Sequence, residues 1–476
     1  GNIVEVIMSV TEQLIRFLVL LRYEDLPSEV VEATKRLILN TIAAALAGSG
    51  APGVEETARL VKECGGKPEA SVFLRDAKVP AQEAVMVNAT MGRALDFDEF
   101  NIQTGVHAGA TVVTTALAAS ELALAERGKN VSGRELIAAI VAGAELISRM
   151  RMVPDRCIGV SGWTGEVFGA FGAAATMGKL LGFTEEQMRN SLGLALSQAA
   201  GIAQTIYDGA LATRLQQGLS ARAGVLAARL ASRGITGAWD FLEGKAGFYP
   251  VYYRGLSYDM RRLLDGLGTD YRFLTMAIKP YPCCGFIMAP IENLMGIMRK
   301  HDLREDEVTE VIVYVNEEMY NTVCAPHDAK YRPRNEADAM FSLPYVLGTV
   351  IMKGDVWLDD FTPEAIRDGR RLAATKKIVV VQDRAIDEES KKLNLTLSLH
   401  SMEVRTRDGR TISGKVYHAK GFPQNPMTLE ECAVKLRRCA PYAVKNFPEG
   451  KVDSLERMIG RLEDLPCSQA LPQMLA

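Results

Sequence analysis

The chain is 476 residues long, 48% hydrophobic and 24% charged, with a formal net charge of −3. That is an ordinary soluble composition, at a length that favours two domains over one core. It excludes a basic field for gathering nucleic acid, and no run of about 18 uncharged apolar residues points to a membrane span.

The first half reads as helix after helix. Ser28 can cap a helix carrying Val31, Leu37, Ile38 and Ile42, which Gly48, Gly50 and Pro52 bring to an end. Pro80 fits a first helical position ahead of Ala84, Val85, Val87 and Met91. Helices are expected over 108–127, stopping at Gly128, and over 136–150, 167–181, 185–206 and 219–233, the last stopping at Gly234. Small residues are dense over 169–175 and 194–201, which suits close helix packing. After about residue 268 the period changes. Residues 308–315 are β-branched and alternate, and 377–382, 393–405 and 411–416 also read as strands. The last two flank Asp408-Gly409, a strong hairpin signal. Helices fit 288–299 and 342–352 between strands, and helical sequence returns at 428–438 and 452–465. Thr428 and Glu431 make a capping box for the first of these. The fold class is therefore mainly α with an α+β part. A large all-helical domain takes in both chain ends, 1–267 and 420–476, and a smaller α+β domain spans 268–419.

Arg93-Ala-Leu-Asp-Phe-Asp-Glu-Phe100, with His107 shortly after, sets acids, a cation and one of five histidines inside small-residue helical sequence. Charge in such surroundings is costly unless it is paired or used, so this stretch is the candidate active site. Asp96 and Asp98 lie close enough to raise one carboxyl pKa, which makes an acid and a base from one side-chain type. Catalysis is expected of Asp96 and structure of Asp98. His107 precedes a helix whose positive end favours the neutral ring, available as base. Arg93 and Arg214 can each grip a carboxylate in bidentate fashion or serve in structural ion pairs. The eight cysteines are scattered apart from Cys283-Cys284, with no CxxC and no Cys/His zinc spacing. No metal and a reduced, cytoplasmic setting are the expectation, and the start of the chain does not read as a secretion signal. His327 and Lys330 are candidate pocket residues of the second domain.

Five stretches in order carry a resemblance to a known family: Ala94-Leu-Asp-Phe-Asp-Glu99; Phe168-Gly-Ala-Phe-Gly-Ala-Ala-Ala175 with Lys179-Leu-Leu-Gly182; Lys279-Pro-Tyr-Pro-Cys-Cys284; Ala339-Met-Phe-Ser-Leu-Pro-Tyr345; and Gly421-Phe-Pro-Gln-Asn-Pro-Met-Thr428. The chain resembles the MmgE/PrpD family, which includes 2-methylcitrate dehydratase, cis-aconitate decarboxylase and iminodisuccinate epimerase. The resemblance implies a helical domain with an α/β lid, a homodimer, and catalysis on a small polycarboxylate without metal or other cofactor. It puts the family's catalytic aspartate on Asp96, its histidine on His107 and its motif lysine on Lys279, with Tyr281 beside that lysine as a candidate substrate contact. Pro280 and Pro282 would fix the backbone that carries Lys279. The expected activity is a 2-methylcitrate-type dehydratase, with epimerase, decarboxylase or a non-catalytic carboxylate binder as alternatives. Where the family has polar groups, this chain has Arg93 for a histidine, Phe100 for a threonine, Thr213 for a lysine, and Gln216, Trp163 and Met288 for histidines. These departures bear on the substrate and on the second chemical step.

Overall fold

The computed structural model describes residues 8–155 and 162–476. The chain forms two compact units, Gly1–Met276 with Thr428–Ala476, and Ala277–Met427. Both junctions fall several residues beyond 267 and 419, and local hydrogen bonds show why. Glu145 accepts from the backbone N–H groups of Arg272 and Phe273, at 3.0 Å each, which ties that turn to the helical unit. Gly421 accepts from the Ile278 N–H at 2.9 Å, which keeps residues around 421 with the second unit.

In the helical unit, Ser28–Gly48, Gly109–Arg127 and Gly133–Met152 are buried along most of their length. Their Ala, Gly and Thr content makes this possible, since small side chains let backbones approach from several sides. Ser28 turns out to be the first helical residue, and Pro27 precedes it without a side-chain cap. Pro80 likewise sits just ahead of Ala81–Arg93, and the orphan N–H of Ala81 is satisfied by Glu69 Oε2 at 3.0 Å. The single helix expected over 185–206 is broken. Glu185–Leu196 stops, Gly201 adopts φ +150°, and only a short turn, Gln204–Tyr207, follows. Gly201 lies so close to Thr164 that a Cβ there would meet Thr164 Oγ1 at 2.7 Å. The next helix starts early, at Ala212, and runs to Ala231. The unit is also not wholly helical, because Ala70–Val72 and Ala77–Val79 pair as an antiparallel hairpin.

Ala212–Ala231 packs on Gly169–Leu180 and on Ala81–Arg93. Gly224 permits the first contact: a Cβ there would lie 2.2 Å from the Ala170 carbonyl oxygen, a backbone atom that cannot step aside. Gly224→Ala is therefore expected to destabilise the fold by about 2 kcal/mol, the usual cost of overpacking, read as a lower urea midpoint with unchanged slope.

The second unit carries a four-stranded sheet in the order Ile378–Gln382, Val308–Val315, His400–Thr406, Thr411–Val416. The first pair is parallel and the others antiparallel, closed by the Asp408-Gly409 turn with Gly409 at φ +85°. The strand expected from 393 starts only at His400, because Asp383 caps a helix, Arg384–Leu393, that ends at left-handed Asn394. Leu343–Lys353, capped by Ser342, and Met288–Lys300 are the helices read between strands. Thr428 and Glu431 form their capping box at Leu429–Cys439 in the helical unit. Among the described residues no helix is long and apolar enough to cross a membrane.

Candidate active site

Ala81–Arg93 ends in a tight reversal. The Asp96 N–H donates to the Arg93 carbonyl at 3.2 Å, and Asp96 itself lies at φ +50°. Aspartate tolerates this left-handed conformation better than most non-glycine residues. The reversal folds the acids back onto the arginine. Arg93 Nη1 donates to Asp96 Oδ1 at 2.6 Å and to Asp98 Oδ1 at 3.4 Å, and Arg93 Nε faces Glu166 Oε1 at 3.9 Å. Burial works against the Arg93 charge, but Asp98, Asp96 and Glu166 outweigh it and hold the guanidinium above its ordinary pKa.

Asp98 is fully buried, and its other oxygen, Oδ2, lies 3.0 Å from His107 Nδ1. The chain just after His107 is fixed from two directions. Gln217 donates to the His107 carbonyl at 3.1 Å and bonds the Thr111 hydroxyl. Glu99, also buried, accepts at Oε1 from the Gly109 N–H at 2.5 Å, the first N–H of the Gly109–Arg127 helix. A carboxylate is at home at that positive helix end. Asn40 donates to Glu99 Oε2 at 3.4 Å and accepts from Lys435 Nζ at 2.7 Å. Lys435 also donates to the Phe97 carbonyl at 2.7 Å and lies 3.6 Å from the centre of the Phe97 ring.

Burial, with the Asp98 charge adding to it, pushes the Glu99 carboxyl up to about 7, while the Gly109 N–H and His107 pull it down. In the unfolded chain its ordinary value is 4.5, so the folded state binds that proton more tightly. Stability from this group is present below about pH 4.5 and is lost as pH rises through about 7. Glu99→Gln keeps an acceptor for Gly109 but has no proton to lose. Its melting temperature is expected to gain on the parent's between pH 5 and pH 8 in thermal scans.

The match to known sequences follows the same division of the chain. Residues 12–261 match the MmgE/PrpD N-terminal domain and residues 281–459 the MmgE/PrpD C-terminal domain. The chain belongs to the MmgE/PrpD family. It is 28% identical over 471 residues to a cis-aconitate decarboxylase of Aspergillus terreus, covering 96% of this chain and 94% of that protein. It is 24% identical over 486 residues to the Homo sapiens cis-aconitate decarboxylase, covering 98% and 94%. A mitochondrial 2-methylcitrate dehydratase of Yarrowia lipolytica is 23% identical over 299 residues, covering 60% of this chain and 54% of that protein.

In this MmgE/PrpD chain, Asp96, Asp98 and His107 offer ligand atoms all within 4.8 Å of one another. That spacing can hold a cation, a possibility that the cysteine and histidine spacing alone does not raise. Arg93 already lies against both carboxylates, so a metal would compete with a fixed guanidinium. The remaining residues singled out from the sequence are distributed differently. Arg214 is half-buried and donates to the Pro52 carbonyl at 3.2 Å. Lys279 is buried in the second unit, and half-buried Tyr281 points its hydroxyl at Met295 Sδ, 3.6 Å away. His327 is exposed and stacks on Tyr331 with ring centres 4.2 Å apart; both line a cavity of about 360 Å³ in that unit. Lys330 is not a free cation: its ammonium donates to the carbonyls of Thr322 at 3.1 Å and Phe341 at 2.7 Å, and burial lowers its pKa. The segment 327–331, read from sequence as a polar loop, is a short helix. Glu99, Glu166, Asn40, Gln217 and Lys435 join the cluster without having been singled out in the sequence.

Proposed function

We propose that this protein is a lyase that moves a proton at a carbon next to a carboxylate of a small polycarboxylate, with His107 as the group that carries the proton. The observation behind this reading is the 3.0 Å contact between His107 Nδ1 and the buried Asp98 carboxylate. A carboxylate on one ring nitrogen fixes the tautomer and leaves Nε2 to exchange a proton with substrate. Asp98 then orients the imidazole and stabilises the imidazolium when it forms, the role that the sequence reading had reserved for structure. Asp96 and Glu166 hold Arg93 in place.

Two reactions of the family can use this pair. In decarboxylation a C–C bond breaks and carbon dioxide leaves. The electron pair stays on carbon, spread into the neighbouring unsaturated carboxylate, until imidazolium delivers a proton there. In dehydration, neutral His107 removes a proton, the pair forms the double bond, and hydroxide leaves the β carbon with a proton. The relatives matched over nearly the full length carry decarboxylase names, whereas the dehydratase match covers 60% of the chain. That favours a cis-aconitate-like substrate and loss of carbon dioxide over the 2-methylcitrate-type dehydration expected from the sequence. Every proton in either scheme sits on a protein group, so the reaction is proposed to need no metal or other cofactor and to survive dialysis against chelator. A homodimer, implied by the family resemblance, is tested by sedimentation.

The test is incubation with cis-aconitate, 2-methylcitrate and related di- and tricarboxylates in deuterium oxide, followed by NMR. Carbon dioxide loss with one deuterium incorporated supports decarboxylation, elimination supports dehydration, and exchange alone supports an epimerase. His107→Gln should abolish all three. Silence across the panel, or near-full rates in His107→Gln, overturns the assignment. Lys279→Met, assayed on the same panel, tests the anion-holding role that the resemblance implies for that lysine.

A further inference from the structure

Gly133–Met152 carries two buried arginines that are treated in opposite ways. Arg149, 0% exposed, is fully engaged: Nε meets Glu145 at 2.6 Å, and its terminal nitrogens donate to the carbonyls of Leu263, Asp265, Gly266 and Asp270. That is how this fold satisfies a structural guanidinium. Arg151, one turn-edge further on and 5% exposed, has no such set. Its Nε is buried with no hydrogen-bond partner, and among the described residues no carboxylate forms an ion pair with it. Residues 156–161, which follow in the chain, include no aspartate or glutamate.

An arginine cannot shed its proton to escape this. A buried, unpaired cation is strongly unfavourable, and natural folds pair or use it. The groups that feel its charge are hydroxyls: Tyr253, 2% exposed and raised to about 12 by burial, and Tyr249, also raised by burial. Tyr249 already donates to the Met150 carbonyl at 2.8 Å. Tyr253 is the neighbouring phenol not so engaged among the described residues. The corner thus holds a fixed positive charge and a neutral O–H donor, with no anion supplied by the chain.

We propose that Arg151, with Tyr253 beside it, anchors a binding site for a small oxyanion, a carboxylate or a phosphate. Guanidinium nitrogens in a fork with one phenol O–H match the oxygens of either group. The site is separate in its logic from the His107 pair, and stands or falls independently of the proposed reaction.

The experiment compares melting temperatures of the whole protein in phosphate, in citrate and in chloride at matched ionic strength. The parent protein is expected to gain several degrees in phosphate or citrate over chloride, as a ligand of the folded state requires. A gain with both anions indicates a general oxyanion site, and a gain with citrate alone a carboxylate site. Arg151→Met should lose that gain, and in chloride should melt at or above the parent, because it removes an uncompensated charge. Tyr253→Phe, a milder change, should weaken phosphate or citrate binding several-fold in calorimetric titration. His107→Gln should keep the phosphate gain, which separates this site from the proposed reaction. The proposal is overturned if the parent shows no anion-specific gain. It is equally overturned if Arg151→Met melts well below the parent in chloride while keeping the gain, or if the gain disappears in His107→Gln but survives in Arg151→Met.

Discussion

Asp98→Asn is expected to slow substrate turnover or exchange by roughly 10²–10⁴-fold while leaving the protein folded, the range seen when an orienting carboxylate behind a catalytic imidazole is made neutral. The substitution keeps shape and volume at a fully buried position. It removes the charge that faces His107 Nδ1 at 3.0 Å, and an amide in that place can present its NH₂ to the ring and select the wrong tautomer. Arg93 would still be held by Asp96 at 2.6 Å and faced by Glu166, so the turn should survive. The effect belongs in the turnover rate more than in KM, because Asp98 is too deeply buried to meet substrate itself. Asp96→Asn provides the contrast. Asp96 contacts Arg93 and is the more exposed of the two acids, so its loss should cost less than that of Asp98. A larger loss in Asp96→Asn, by NMR exchange rates on both variants, would return the proton-transfer role to Asp96.

This reversal of the two aspartates shows what the sequence could and could not supply. Helix positions were legible because Ala-rich runs, capping pairs such as Thr428/Glu431 and the stop at Gly128 act locally. The strands Val308–Val315 and Thr411–Val416 were legible from alternation and the Asp-Gly turn. The hairpin at Ala70–Val72 was not, because three-residue strands have too few positions to show a period. The break at residue 197 was hidden by continued small and apolar sequence: it depends on Gly201 meeting Thr164, a contact distant in the chain. At the site, the composition of residues 93–107 marked the cluster, but which acid faces the histidine depends on the left-handed turn at Asp96, a matter of one backbone torsion. Glu166 and Asn40 reach the cluster from other helices and carry no local mark. Lys435 did carry one. It sits among buried Cys432, Ala433, Leu436 and Cys439 on the apolar face of its helix, where a lysine has no reason to be unless it is paired.

Lys435→Met is expected to destabilise the protein by about 3–5 kcal/mol, the scale for breaking one side of a buried charge network. Methionine replaces the methylenes well, so packing loss is small. What it cannot replace is the ammonium, which donates to Asn40 Oδ1 and to the Phe97 carbonyl at 2.7 Å each and lies over the Phe97 ring. Both oxygens would then be buried without that donor, at about 1–3 kcal/mol apiece, and a cation–π contact would vanish as well. The damage should not stop at stability. Phe97 lies between Asp96 and Asp98, and Asn40 hands the network on to Glu99, which pins the N–H of Gly109 just beyond His107. The C-terminal helix therefore holds both ends of the stretch that carries the acid and the imidazole. Urea titration should show the lowered midpoint. Activity measured well below that midpoint, where the variant is still folded, should fall by about tenfold or more, because a small displacement of the His107–Asp98 pair is costly even in an intact fold. Full activity in the folded variant would mean that Lys435 supports the helical unit alone and that the loop keeps its geometry without it.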